Sequence, residues 1–520
     1  MMDIIKEELK RFCMCSSMKA VPKATNSDTG LLRVFWSVAA IGLFTYTCCQ
    51  VYTLLDAYMQ YEVVTSSYEN KAHPDGGHKP TLPVTTICAK TPVPSSVLTP
   101  NGPLSPRDRK QSLNCVDYQC TARAQQVLYS PQAYFQTVGW EAISDIGHQA
   151  DNLIVSCRVK LMVGLESFLT SCDNEITIEK RVNQKFFNCY DFRMKENGLK
   201  TPLGVKLGLE LTLYMDVNSS LSAENPFNTE GHSSGIILGL SEHGLRNPSF
   251  TPFEGLDVPT GTECRVYLNQ QLRQRIDHPH GTCRDYTRST NHSSQQNCFS
   301  QCLVDMIENK CSCDEPGYPY DTNRSNENFC LNLTLPMDVL LRNIECRDSI
   351  RTKSMELCLE RCPLACEERQ WNREIQSSAW PSFRYSGVFY KEFIQNRTFA
   401  HNFDYMDDVI NQSCMSFSDC DYNMTNDHKR IQDNFLRVSF QLNDYRFFVL
   451  KDMEKVSLAE LLSQVGGALN LWFGITVVVI LEIFELCFRL LGKGWGEMKG
   501  KRTPSVDQNV ELKEAPAIQS

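Results

Sequence analysis

Leu461-Leu462-Ser463-Gln464-Val465-Gly466-Gly467-Ala468-Leu469-Asn470-Leu471-Trp472-Phe473-Gly474-Ile475-Thr476-Val477-Val478-Val479-Ile480-Leu481 is a run of 21 residues without one charged side chain. At about 1.5 Å per helical residue it is long enough to cross a hydrocarbon core about 30 Å thick. A second uncharged run, Val34 to Leu55, stands near the other end of the chain. The competing reading for either run is a buried core helix, but core helices rarely run this long without a charge. Two spans, short tails and one large intervening loop describe a membrane protein with a single large domain outside the cell.

The flanks orient the chain. Lys6, Lys10, Arg11, Lys19, Lys23 and Arg33 precede the first run, and Arg489, Lys493, Lys499, Lys501 and Arg502 follow the second. Positive charge beside both spans places both termini in the cytoplasm. The charged stretch ahead of Val34 marks an uncleaved signal anchor rather than a removable leader. The expected boundaries are a cytoplasmic tail at 1–33, a first transmembrane helix at 34–55, an extracellular cysteine-rich domain at 56–460, a second transmembrane helix at 461–488 and a cytoplasmic tail at 489–520.

Cysteine use agrees. Of 24 cysteines, 19 lie between Cys88 and Cys420, and such density belongs in an oxidising compartment. N-x-S/T glycosylation sites occur at Asn218, Asn291, Asn323, Asn332, Asn396, Asn411 and Asn423, all within the loop. A net charge of −9 excludes a nucleic-acid partner. No phosphate loop, metalloprotease helix or nucleophile–base pair is present, so no enzyme and no cofactor is expected.

Within the loop, Val205, Leu207, Leu209, Leu211 and Leu213 alternate with Lys206, Gly208, Glu210 and Thr212. Leu436, Val438, Phe440 and Leu442 alternate with Arg437, Ser439 and Gln441. Period two predicts half-buried strands, the second leading towards the membrane, and hence an antiparallel sheet core. Thr81 to Ala89 reads as one further strand. Cys298 and Cys302 are four apart, as are Cys358 and Cys362. On helices this spacing puts both sulfurs on one face, so two antiparallel helices can be cross-linked as Cys298–Cys362 and Cys302–Cys358. A zinc cluster is the rival reading, disfavoured because sequons and topology place these thiols outside the cell.

Several motifs now agree in order. Leu82-Pro83-Val84-Thr85-Thr86-Ile87-Cys88, Gly147-His148-Gln149, Ser156-Cys157-Arg158, Asn188-Cys189-Tyr190, Pro259-Thr260-Gly261-Thr262-Glu263, the Cys298–Cys302–Cys311–Cys313 cluster, Cys358–Cys362–Cys366 before Trp380-Pro381-Ser382, and Gln464 to Thr476 together resemble the degenerin/epithelial sodium channel superfamily. The spacing between Cys88 and Cys157 resembles its acid-sensing, short-finger type.

The resemblance implies an α+β ectodomain with a helical thumb, and a homo- or heterotrimer of related subunits in the plasma membrane. It implies a sodium-selective, amiloride-sensitive pore lined by the second span and gated by protons, peptide or mechanical force. It also implies the disulfides Cys88–Cys189, Cys157–Cys172, Cys283–Cys366, Cys298–Cys362, Cys302–Cys358, Cys311–Cys346 and Cys313–Cys330. Cys115–Cys120 and Cys414–Cys420 are then local pairs, and Cys264 is left over.

The selectivity filter corresponds to Gly474, Ile475 and Thr476, with Thr in place of the family's Ser. Backbone carbonyls and hydroxyls can replace part of an ion's hydration shell at such a constriction. Ser463, Gln464, Gly467 and Leu471 fall at pore or gate positions. Glu482 and Glu485, repeated by symmetry, would form acidic rings; the alternative is interfacial acids near Arg489.

The chain also departs from the pattern. The family's cytoplasmic His-Gly motif falls at Lys19 and Ala20. The aromatic partner of Tyr58 falls at His280, a candidate pH-sensing histidine, with an exposed loop histidine as the alternative. One thumb carboxylate falls at Asp348, while its neighbour's position holds Thr352. These departures keep open a regulatory, non-conducting partner subunit. A cell-surface receptor on the same scaffold is the weaker alternative, having no need of a filter.

Overall fold

The computed structural model describes residues 2–18, 21–71, 82–98, 130–163, 166–195, 205–217, 233–241, 255–286, 294–317, 327–403, 406–407, 417–442 and 446–500. The chain divides into two compact units, Met1–Val64 with Glu454–Ser520, and Thr65–Met453.

The larger unit is built on two main sheets, besides a short parallel pair of Cys283–Arg284 with Leu364–Ala365. Its strands, in chain order, are β1 (Val63–Lys71), β2 (Val84–Ala89), β3 (Ile154–Val163), β4 (Glu166–Ser171), β5 (Ile176–Asn183), β6 (Phe187–Met194), β7 (Val205–Tyr214), β8 (Gly235–Ser241), β9 (Leu256–Pro259), β10 (Thr262–Gln274), β11 (Glu367–Ala379), β12 (Phe435–Leu442) and β13 (Arg446–Glu454). The large sheet runs β1-β13-β10-β12-β7-β3-β4, with β11 also paired to β10; the smaller runs β5-β6-β2-β8-β9. Side chains from both sheets fill one core, Ile87, Tyr190, Phe192 and Leu238 meeting Leu209, Leu211, Val266, Val438 and Phe440.

The large sheet is mixed, which corrects the antiparallel expectation. β10 is antiparallel to β11 from Thr262↔Ala379 to Gln274↔Glu367. Its partners β12 (Glu263↔Arg437) and β13 (Gln271↔Phe448) are both parallel to it. The consecutive strands β12 and β13 therefore continue along one edge of a 13-residue strand instead of folding back as a hairpin. Alternation reports which face is buried, not the direction of the neighbour.

β7 departs from the half-buried expectation as well. Leu209, Leu211 and Leu213 are buried on one face, and Thr212 is buried on the other. Arg437 Nε donates to Thr212 Oγ1 at 3.4 Å, and its guanidinium lies 4.5 Å from the Trp380 ring. Behind that stands an aromatic cluster in which Tyr214 stacks on Phe399 at 4.0 Å.

Helix α3 (Pro131–Ile146), which follows α1 (Met2–Cys15) and α2 (Gly30–Met59) of the smaller unit in chain order, ends in a junction that joins two separated sequence signatures. Asn188 Nδ2 donates to the carbonyls of Ser144 (2.9 Å) and His148 (3.1 Å), and the Tyr190 hydroxyl donates to the His148 carbonyl at 2.7 Å. A side chain at Gly147 would sit 2.7 Å from Asn188 Cγ, so only glycine lets the two segments meet. His148 itself is buried, its Nε2–H donating to the Thr91 carbonyl at 3.0 Å. Burial lowers its pKa to about 4, against the opposing pull of Asp216 and the Thr91 hydrogen bond.

A disulfide-tied helical region completes the unit: α4 (Gln295–Cys311), α5 (Met337–Lys353) and α6 (Met355–Arg361). The structure forms Cys298–Cys362, Cys302–Cys358, Cys311–Cys346 and Cys313–Cys330 here, and Cys88–Cys189, Cys157–Cys172 and Cys283–Cys366 elsewhere. The helix facing α4 is broken at Ser354, so Cys358 lies on the seven-residue α6 and Cys362 caps it with non-helical backbone. Cys264 is a buried free thiol whose pKa burial raises. The expected Cys115–Cys120 and Cys414–Cys420 pairs involve residues outside the described ones.

Candidate pore segment

The smaller unit holds the charged helix α1 (Met2–Cys15) and the largely apolar α2 (Gly30–Met59), α7 (Leu458–Ala468) and α8 (Val477–Gly500). By length and hydropathy α2 is able to cross a membrane. Leu458–Phe473 and Val477–Leu491 pass the same test only as a pair, bent by 77° at the break between them.

The break is built by sequence. Ser457 caps α7, its side chain accepting from the Glu460 N–H at 3.2 Å. Leu469–Phe473 then widens into a π-helical turn ending on Gly474, which has φ 75° and ψ 21°. That left-handed conformation suits glycine and penalises most other residues. The amides of Gly474 and Ile475 close the turn on the carbonyls of Asn470 and Leu469, both at 3.1 Å. Thr476 then accepts the N–H of Ile480 through its carbonyl as α8 begins. Phe44 and Tyr46 of α2 hold the turn from one side, packing at 5.5 Å on Phe473 and 4.9 Å on Trp472.

The opposite side is open within the chain. Ser463, Gln464, Gly467, Leu471 and Thr476 are exposed, Gly474 is buried and Ile475 is half-buried. Among the described residues, nothing beyond the neighbouring backbone of the helix itself lies within 4 Å of where a Cβ on Gly466 or Gly467 would stand. Small and polar side chains thus line a face with no partner among the described residues.

Below the break, Glu482 is met by the N-terminal segment. Ser16 Oγ donates to it at 3.2 Å, the Ser17 N–H at 3.1 Å and Ser17 Oγ at 2.5 Å. Sequence reasoning missed this contact, because nothing in a serine pair 465 residues upstream announces it. Glu485 pairs with Arg489 one turn on. Replacing Glu482 with glutamine removes the charge that three donors share. The expected result is faster hydrogen–deuterium exchange at the Ser17 amide, read by mass spectrometry on the full chain, with exchange in the larger unit unchanged.

The remaining candidates fall in both units. Lys19 and Ala20 lie outside the described residues. Tyr58 stands near the end of α2, 5.9 Å from the Tyr61 ring, and Lys455 of the same unit pairs with Glu62. His280 lies in a turn of the other unit. Asp348 is exposed, 3.6 Å from Arg347, and its carbonyl accepts from Thr352 Oγ1. Asn396 is exposed, whereas Asn332 is buried, its side-chain oxygen accepting from the amide and hydroxyl of Thr334. Asn218, Asn291, Asn323 and Asn411 lie outside the described residues, as does the side chain of Asn423.

The family profile described as amiloride-sensitive sodium channel matches residues 12–486. The FMRFamide-activated amiloride-sensitive sodium channel of Cornu aspersum is 23% identical over 95% of this chain and 85% of its own length. The bile acid-sensitive ion channel of Homo sapiens is 22% identical over 92% of this chain and 85% of its own. The beta subunit of the Xenopus laevis epithelial sodium channel is 21% identical over 68% and 49%. A match across nearly the whole chain, carrying the ectodomain disulfides and the broken apolar segment alike, shows that the chain belongs to the amiloride-sensitive sodium channel family.

Proposed function

We propose that the chain is a subunit of a trimeric, amiloride-blocked, sodium-selective channel of the plasma membrane, gated or modulated by an extracellular stimulus. The observation that carries the reading is the break at Gly474. Non-helical backbone at membrane depth is tolerated where it lines a water-filled path or is buried in protein. Here it follows a face of serine, glycine and asparagine that the chain leaves open. Three copies of that face around an axis would ring a pore, with α7 and the upper part of α8 together forming the second span. Gly474, Ile475 and Thr476 would then present carbonyls and a hydroxyl at its narrowest point. One relative is named as FMRFamide-activated and another as bile acid-sensitive, and in this chain the ectodomain is the part that would receive such a stimulus.

The Ser16 and Ser17 contacts change the role proposed for Glu482. A carboxylate already holding three donors serves as an anchor for the N-terminal segment at the cytoplasmic side of the pore. The test is whole-cell current from the chain expressed alone, stepped from alkaline to acidic external pH, with and without amiloride, under sodium and then potassium. An amiloride-blocked sodium current is the expected result. Surface expression with no current under any of these conditions or under candidate peptides would favour the partner-subunit reading, to which the Lys19 and Ala20 departures already point. A pH response that survives His280→Ala would remove His280 as its sensor.

A further inference from the structure

Two sequons, Asn332-Leu333-Thr334 and Asn396-Arg397-Thr398, lie wholly among the described residues and stand in opposite surroundings. Asn332 is 4% exposed. Its side-chain oxygen accepts the Thr334 amide at 2.9 Å and the Thr334 hydroxyl at 2.7 Å. Its Nδ2, the atom that would carry a glycan, faces the Glu327 carbonyl at 3.5 Å. The backbone closes around the side chain: the Asn332 N–H donates to the Phe329 carbonyl at 3.1 Å, and the Asn332 carbonyl accepts from Leu335 at 3.3 Å.

That turn presents its flanking amides to α3. The Leu331 N–H donates to Gln136 Oε1 at 2.7 Å, and the Leu333 N–H donates to Thr137 Oγ1 at 2.9 Å. Gln136 is fully buried, and Leu331 packs with Ala133 of α3 and with Leu340 and Ile344 of α5. Opening the turn would strip buried donors and acceptors of their partners, which is costly. Asn396 has no such duty. It is exposed, just past the helical segment Tyr390–Ile394. Its neighbours hold the turn instead. The Arg397 amide donates to the Ile394 carbonyl at 2.8 Å, the Arg397 guanidinium to the Val155 carbonyl at 2.7 Å, and Thr398 Oγ1 to Asn152 Oδ1 at 3.2 Å. The Asn396 side chain makes no hydrogen bond among the described residues. A glycan is bulky and belongs on the surface, and at Asn396 it displaces no contact.

We infer that the folded chain carries an N-glycan on Asn396 and none on Asn332, whose pairing with Thr334 instead shapes the turn that docks α3 against α5. The inference rests on the larger unit lying outside the cell, as in the proposed function. Transfer of a glycan to the extended chain is open at both sequons, so folding does the sorting. A chain glycosylated at Asn332 cannot close its turn, and quality control removes it before it reaches the surface.

The test uses the full chain expressed in glycosylating animal cells and recovered from their surface by biotinylation. Enzymatic removal of N-glycans in heavy-oxygen water converts each glycosylated asparagine to a labelled aspartate, which peptide mass spectrometry locates. Label at Asn396 and none at Asn332 is expected. Label at Asn332 in the surface pool, or an unlabelled Asn396 beside other labelled sequons, overturns the inference. No label at any of the seven sequons overturns the extracellular placement and the inference with it. Asn396→Gln should lose the mass of one glycan. Asn332→Ala should keep the native glycan mass yet reach the surface several-fold less, because its turn loses its shape; a native surface level would overturn the docking role.

Discussion

Replacing Gly474 with valine is expected to abolish sodium current while the chain still reaches the cell surface with its disulfides intact. At φ 75° the backbone occupies the left-handed region. An L-residue there pays on the order of 1–2 kcal/mol, and β-branching makes the conformation a genuine outlier. The cost is removed if the turn relaxes to right-handed helix, which would straighten the 77° bend between Leu458–Phe473 and Val477–Leu491. The carbonyls of Gly474 and Ile475 would then be consumed by helical hydrogen bonds and withdrawn from any passing ion. Current recorded beside surface biotinylation separates loss of conduction from loss of folding. Alanine gives the graded case: it pays the same left-handed penalty without the branched bulk, so a reduced current is expected. A valine variant that conducts normally would sink the filter assignment. Thr476→Ser, which restores the family's residue and keeps the hydroxyl, is expected to conduct.

How much of this was legible in the sequence differs by element. The apolar runs announced α2 and the broken pair of α7 and α8, and period two located β7 and β12 to within a residue. The disulfide pairs followed from the resemblance, and the structure contains all seven. What alternation could not carry was strand direction. The parallel pairing of β10 with both β12 and β13 depends on contacts far along the chain. Thr212 reads as solvent-facing until Arg437 and Trp380 are seen to cover it. Glycine at 474 was visible; the π-helical turn before it and the 77° bend were not, since a glycine permits a left-handed backbone without specifying the turn around it. The ion pairs that Arg347 and Arg351 make with the buried Glu315 were invisible as well: their members are ordinary surface residue types until folding brings them together.

The second large effect is on stability, and it has a definite sign. His148 is buried and neutral, with a pKa near 4 in the folded chain against an ordinary value of 6.5. Between those limits the unfolded chain binds a proton that the folded chain refuses, so stability falls as pH drops from about 6.5 to about 4 and is flat in this respect outside that window. A shift of this size corresponds to about 3 kcal/mol, a large fraction of a domain's net stability. Glutamine at this position keeps a donor for the Thr91 carbonyl and cannot take up a proton. His148→Gln is therefore expected to unfold more readily than the native chain at neutral pH, through imperfect packing, yet to lose less stability on acidification. Thermal unfolding of the purified full chain at a series of pH values checks this. If the two chains lose stability in parallel between pH 6.5 and 4, His148 is not the titrating group. The Asn188 and Tyr190 hydrogen bonds to its carbonyl would then matter only for holding the junction together. The distinction bears on gating as well: an acid response of the current that tracks unfolding at this junction would be a loss of structure, whereas one that persists in His148→Gln belongs to other groups.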